Sequence, residues 1–175
     1  ETIFDEPSLR DSASNGAVES VVRWWQQRVR THRYAVEINY QVQLTADHVL
    51  WPWLLSYAAF ITNAHRVRAD GRTAHEAAFG CGYRGEVLPF AETALFKVPT
   101  SHAREVADGI IIPKGDTSMV HGIWVGKHAE SDDHIYLTSA GWHRARTVRR
   151  MEPTRQHNRE LLLSAKGVPW DTRAS

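Results

Sequence analysis

The spacing of apolar residues changes its period near Val87, and the change dictates helices before it and strands from there to about residue 151. Over residues 17–40 the repeat is helical. At about 100° per residue, Val18, Val21, Val22, Trp25 and Val29 fall on one arc, which is expected to face a core. Glu19, Arg23, Gln26, Arg30 and Arg33 fall within about 80° of one another on a second, polar arc. Residues 1–14 carry no periodicity and read as an irregular lead-in. Asn15-Gly16 reads as a turn that sets Glu19 in the first turn of the helix. A second helix is expected from an N-cap at Asp47 to about residue 63 or 65, with Pro52 tolerated in its first turns. Its residues are apolar on most sides, which predicts burial against other elements. Asp70-Gly71 marks a turn and Thr73-Ala74-His75-Glu76 a capping box. Gly80 ends that short helix, and residues 80–85 form a glycine-rich loop.

Beyond Val87, residues 88–99, 119–126, 134–138 and 142–151 have strand character, with turns at Gly115-Asp116 and Ser139-Ala140-Gly141. A last short helix is expected over residues 157–166. Strands of this length at short spacing suggest a small barrel or sandwich. The predicted fold class is therefore α+β, with a boundary near residues 85–100.

A chain of 175 residues can bury a real core as one domain or two small ones. The longest apolar stretch, residues 49–61, is broken by Pro52 and Ser56 and is too short to span a bilayer. No signal peptide is legible, and Glu1 in place of an initiator Met fits a piece of a longer chain. The single Cys81 excludes a disulfide framework and a Cys-based zinc site within the chain. His121, His128 and His134 are too loosely spaced to suggest a zinc site of their own. The net charge of +1 conceals an alternation. Residues 1–19 hold one Arg against five acids, and residues 20–75 seven Arg against three. Residues 76–132 hold five basic side chains against eight acidic, and residues 133–175 eight against four. Two basic zones with an acidic one between them suit a protein that touches a polyanion at two places; solvated helix faces explain the same charges.

Glu19 is the residue where metal chemistry can be argued. A carboxylate in a first helical turn is ionised by the helix dipole and can hold a hard cation from a rigid element. Complementing that dipole is its simpler role, and two-metal phosphoryl transfer needs further carboxylates. Arg23, Arg30 and Arg33 follow on the same face and can track a phosphate backbone, or can simply be a solvated stripe. Trp24 is the more exposed stacking candidate, whereas Trp25 lies on the core arc. The run Arg144-Ala145-Arg146-Thr147-Val148-Arg149-Arg150 falls on an expected strand, where Arg144 and Arg146 share a face. Four arginines there can clamp phosphates without reading sequence, or can guard an edge strand against aggregation.

Asn15-Gly16-x-x-Glu19 leading into a long helix resembles the third acidic element of retroviral and retrotransposon integrases, where an Asn-Gly-x-x-Glu sequence carries the Glu of an Asp, Asp, Glu triad. The segments that follow keep the family's order. They are a helix with Arg30-Thr31, then Trp51-Pro52-Trp53-Leu54, then Asp70-Gly71-Arg72-Thr73-Ala74-His75-Glu76, similar to a Thr-Pro-Tyr-Glu type segment, then Phe90-Ala91-Glu92, similar to Phe-Gly-Glu. His121-Gly122-Ile123-Trp124-Val125-Gly126 and Ala145-Arg146-Thr147-Val148-Arg149-Arg150 resemble the small barrel-like segment of transposon polyproteins. The likeness spans roughly residues 12–171. Ala74, His75 and Ala91 depart from the family pattern, as in a divergent copy.

The resemblance implies the C-terminal helices of an RNase H-like core over residues 1–90. Over residues 91–175 it implies a small SH3-like β-barrel that binds nucleic acid, with a C-terminal tail. It implies DNA integration by strand transfer in the full-length parent, a metal-dependent polynucleotidyl transferase. Mg2+ or Mn2+ would be held by Glu19 together with upstream carboxylates that this chain lacks, so the fragment alone is expected to be inactive. Asn15, Arg23, Arg30, Arg33, Arg144, Arg146, Arg149 and Arg150 would contact nucleic acid. The implied partners are DNA and a second copy through the core helices, with no membrane, and the implied location is the nucleus. The alternative is a non-catalytic DNA- or chromatin-binding remnant of a transposon polyprotein.

Overall fold

Helix α1, Ser12–Tyr40, is the longest element and runs through the segment read as a turn. The computed structural model describes residues 12–97 and 119–171. The expected turn at Gly115-Asp116, strand positions Val98 and Pro99, and lead-in residues 1–11 lie outside those ranges. Residues 12–14 and Asn15-Gly16 are helical. An exposed Gly costs a helix only about 1 kcal/mol, and the periodic residues beyond it outweigh that cost. At the other end α1 closes with Gln41 at a left-handed φ of 51°. Val42 N–H reaches Glu37 O at 3.2 Å and Gln41 N–H reaches Ile38 O at 3.3 Å, the crossed pair of bonds that satisfies last-turn carbonyls. The Glu37 carboxylate accepts Leu44 N–H and Arg33 Nε, each at 3.0 Å. The Leu44 amide and then Arg33 hold its pKa below the usual range.

Helix α2, Leu50–His65, begins three residues after the expected cap. Asp47 instead bonds within its own turn, to Thr45 and to its own backbone. The N-cap position is Val49, which has no capping side chain; His48, just before it, accepts Leu50 N–H on its Nδ1 at 3.2 Å. Pro52 falls in the first turn, where its missing N–H has no intrahelical role. As expected, α2 is largely buried, with Leu50, Trp53, Leu54, Tyr57 and Ala58 inside. The arc Val18, Val21 and Val22 is not: all three are exposed. α1 has 29 residues and α2 has 16. Arg66, just past the end of α2, donates to Ser20 Oγ at 2.8 Å, so the turns of α1 before Ser20, with Val18, project beyond its partner. Val21 and Val22 lie alongside α2 but border an open apolar hollow of about 180 Å³ with Trp25, Ala59, Thr62 and Asn63, which leaves them in contact with solvent. Val29, Val36 and Tyr40, further along the same helix, are buried.

Helix α3, Ala74–Phe79, has the expected capping box between Thr73 and Glu76 and the expected Gly80 terminus, at a φ of 76°. Five strands follow: β1 Thr93–Lys97, β2 Met119–Lys127, β3 His134–Thr138, β4 Gly141–Ala145 and β5 Val148–Arg150. The first is shorter than residues 88–99, because Ala91 turns the chain at a φ of 64°. The expected strand 142–151 is two strands, broken at Arg146-Thr147. Pro153–Arg155 forms a 3-10 turn, and helix α4, Arg159–Ser164, is capped by Asn158 within the expected 157–166.

The sheet is antiparallel in the order β4-β3-β2-β1-β5. Its two edge strands are consecutive in sequence. Flat, five strands about 4.8 Å apart would hold those edges roughly 19 Å from each other. The link from Ala145 to Val148 reaches at most about 11 Å, so the sheet must curl. A bulge at Val125, between Trp124 and Gly126, bends β2. Gly122 lets the curl tighten: a Cβ there would stand 2.7 Å from Phe96 and 2.9 Å from Tyr136, whose rings stack at 4.4 Å. Both α2 and α4 pack on β2, and Tyr57 meets Trp124 edge-on at 5.7 Å. Helices and sheet share one apolar cluster running from Val29 to Ala165. Among the described residues the fold is a mixed α+β arrangement of four helices and one curled antiparallel sheet.

Trp124 is fully buried, and its Nε1–H donates to Nδ1 of buried His134 at 3.0 Å. That bond requires neutral His134. Burial, with Lys127 beside the ring, pushes its pKa down to about 4. Burial also lowers His143 and His32. Above pH 6.5 both folded and unfolded His134 are neutral, so the shift has no effect; below it the unfolded chain binds a proton the native state refuses. Stability should therefore fall as pH drops from about 6.5 to about 4.5, His134 contributing about 3 kcal/mol once its folded pKa is passed. Urea melts across that range read the slope, and His134→Gln should flatten it. An unchanged slope in the variant would contradict the assignment.

Candidate nucleic-acid interface

Glu19, Arg23 and Arg30 lie on the exposed face of α1. The side chain of Asn15 lies outside the described positions. Among the described residues no three His, Cys, Asp or Glu side chains are grouped to hold a metal ion. Arg33 is partly buried, ion-paired with Glu37 at 3.0 Å and set over the Trp51 ring at 5.5 Å. Arg23 and Arg30 stay exposed, and Arg28 covers the Trp24 ring at 4.6 Å. Trp25 packs as expected, its Nε1 donating to Leu55 O.

The break at Arg146-Thr147 redistributes the second arginine set. Arg144 and Arg146 do not share a strand face, because β4 ends at Ala145 and Arg146 stands in the bend. Arg144, Arg146 and Arg149 are all exposed, and they sit within six residues of the link that joins the two sheet edges. Arg144 Nη1 lies 3.4 Å from Nε2 of His128. Arg146 is 93 % exposed, with Asp133 at 3.9 Å. His128 and Asp133 belong to the β2–β3 connection, and nothing in the sequence pattern links them to residues 144–146.

Arg150 does different work. Its Nε and Nη2 donate to the two oxygens of Glu92 at 2.7 and 2.8 Å. Glu92 is 1 % exposed and Arg150 about half exposed. A buried carboxylate without that fork would be stranded. Arg150 opposes Ala94 in the β5–β1 register, whereas Arg149 opposes Leu95 and points the other way. The motif Arg149-Arg150 thus divides into one free cation and one structural one.

No helix among the described residues is long and apolar enough to cross a membrane. Arg150→Ala should destabilise the fold by about 2–3 kcal/mol. That is below the roughly 3–5 of a fully buried pair, because water reaches Glu92 once the half-exposed Arg150 is gone. Arg144→Ala and Arg146→Ala should stay within about 0.5 kcal/mol. Denaturant melts of the three variants compare them, and equal costs would contradict the division of roles. No protein-family model, curated protein or solved structure matches this chain.

Proposed function

We propose that the chain is a DNA-binding part of a retrotransposon-type integrase. In this reading the last helices of an RNase H-like core lead into an SH3-like barrel, in a protein that acts in the nucleus. The observation that carries it is the gathering of Arg144, Arg146 and Arg149, all exposed, around the short link between the two edge strands. Free arginines on a small β-structure neutralise phosphates without reading bases. The strand order, with consecutive strands at the two edges, supports the barrel. Ala91 supports the resemblance in a second way. It stands where the family's Phe-Gly-Glu has glycine, and its φ of 64° is one that glycine adopts without penalty.

Glu19 is the family's metal-ligand position, and Arg23 and Arg30 extend from it along one exposed face. One exposed carboxylate does not fit a two-metal site among the described residues. The reading therefore gives these residues a binding role, and strand transfer belongs to an assembly that supplies further carboxylates with Mg2+ or Mn2+.

Duplex affinity measured against salt tests the proposal. The logarithm of the association constant should fall linearly with the logarithm of salt concentration. R144A/R146A should flatten that slope by about one unit per lost phosphate contact, with melts unchanged. A slope that does not move would remove the β4–β5 interface.

A further inference from the structure

Where the start of β1, the middle of β2 and the 3-10 turn meet, a polar cavity of about 230 Å³ opens, lined by Thr93, His121, Met151, Thr154, Arg155, His157 and Asn158. We propose that this cavity binds a phosphate group. Three of its seven lining residues, His121, Arg155 and His157, carry guanidinium or imidazole heads, and none is an acid. In a chain with 20 Asp and Glu, an acid-free polar hollow selects for anions.

The walls are held in place by bonds that do not use those heads. Thr93, 1 % exposed, takes Asn158 N–H on its Oγ1 at 3.0 Å and meets the Tyr40 hydroxyl at 3.2 Å. The His157 ring packs edge-on against Tyr40 at 5.3 Å. Asn158 spends its side chain on the cap of α4. Arg155 and His121 are exposed, and neither side chain has a hydrogen-bond or ion partner among the described residues. A guanidinium fork without a partner among the described residues, two imidazoles and the Thr154 hydroxyl, all lining one hollow, supply the donors a tetrahedral oxyanion takes.

Size narrows the ligand. Pockets for whole cofactors or drug-sized molecules run from about 300 to 1,000 Å³, and a water takes about 30 Å³. The cavity holds a phosphate with a few waters, not a nucleoside with it. A transition metal is a poor fit, since two imidazoles with no carboxylate or thiolate line the space. Arg155 lies outside the β4–β5 arginine set, so this site does not depend on the duplex-binding proposal.

The test is an amide and imidazole NMR titration of the full chain with inorganic phosphate, against chloride at matched ionic strength. Phosphate should shift His121, Thr154, His157 and Asn158 in a saturable way. Arg155→Gln should weaken it at least tenfold, and His121→Gln about threefold. Circular dichroism checks that each variant keeps its fold. A dinucleotide with only an internal diester and one with a 5′-phosphate separate the two sources of the group. Binding of the 5′-phosphorylated form alone assigns a terminal monoester, and equal binding of both assigns backbone diester. Shifts that chloride reproduces, shifts that miss these four residues, or a folded Arg155→Gln that binds as tightly as the parent would each overturn the site. None of those failures touches the duplex-binding proposal, which is read from R144A/R146A.

Discussion

The pair between Glu92 and Arg150 is the constraint around which the rest of the sheet is arranged. Glu92 follows the left-handed Ala91, and its carboxylate is driven inside where both oxygens must be met. Arg150 meets them as a fork from β5, the edge strand paired with β1. With β5 fixed on β1, and β4 two residues behind it on β3, the sheet has no flat solution. Its curl follows from chain length as much as from side-chain packing. Gly122 and the bulge at Val125 make the bend sterically possible.

Much of this architecture was legible in the sequence because local chemistry dictated it. The capping box at Thr73 and Glu76, the αL terminus at Gly80 and strand β3 each rest on residues close to one another in the chain. The errors came where distant contacts decide. Asn15-Gly16 is a turn signal only if the chain has something to turn toward, and here the helical repeat continues through it. Val18, Val21 and Val22 have the period of a core face, but Val18 lies past the end of α2, and Val21 and Val22 meet it across an open apolar hollow. Residues 142–151 alternate like one strand, and the break at Arg146-Thr147 is imposed by pairing with opposite edges of the sheet.

The candidate site shows the same division more sharply. Four arginines in seven residues announced a basic surface, yet sequence spacing could not say that Arg150 would serve Glu92, a residue 58 positions earlier. Nor could it pair His128 with Arg144 or leave Arg155 beside a hollow. Charge counting finds a basic zone; burial and pairing decide which of its members are free to bind. After that sorting, the exposed set is Arg144, Arg146 and Arg149, all near the link between the two edge strands, with Arg144 beside His128 and Arg146 beside Asp133.

The central claim is that one arginine of this run ties β5 to the start of β1, leaving its exposed neighbours to meet the polyanion proposed above. Side-chain guanidinium resonances of the four arginines, followed by NMR as a short DNA duplex is added, test it most directly. The account predicts that Arg144, Arg146 and Arg149 shift together as the duplex saturates, while Arg150 stays at its duplex-free position on Glu92. If Arg150 shifts with the others, or if the duplex moves none of the four, the account is contradicted.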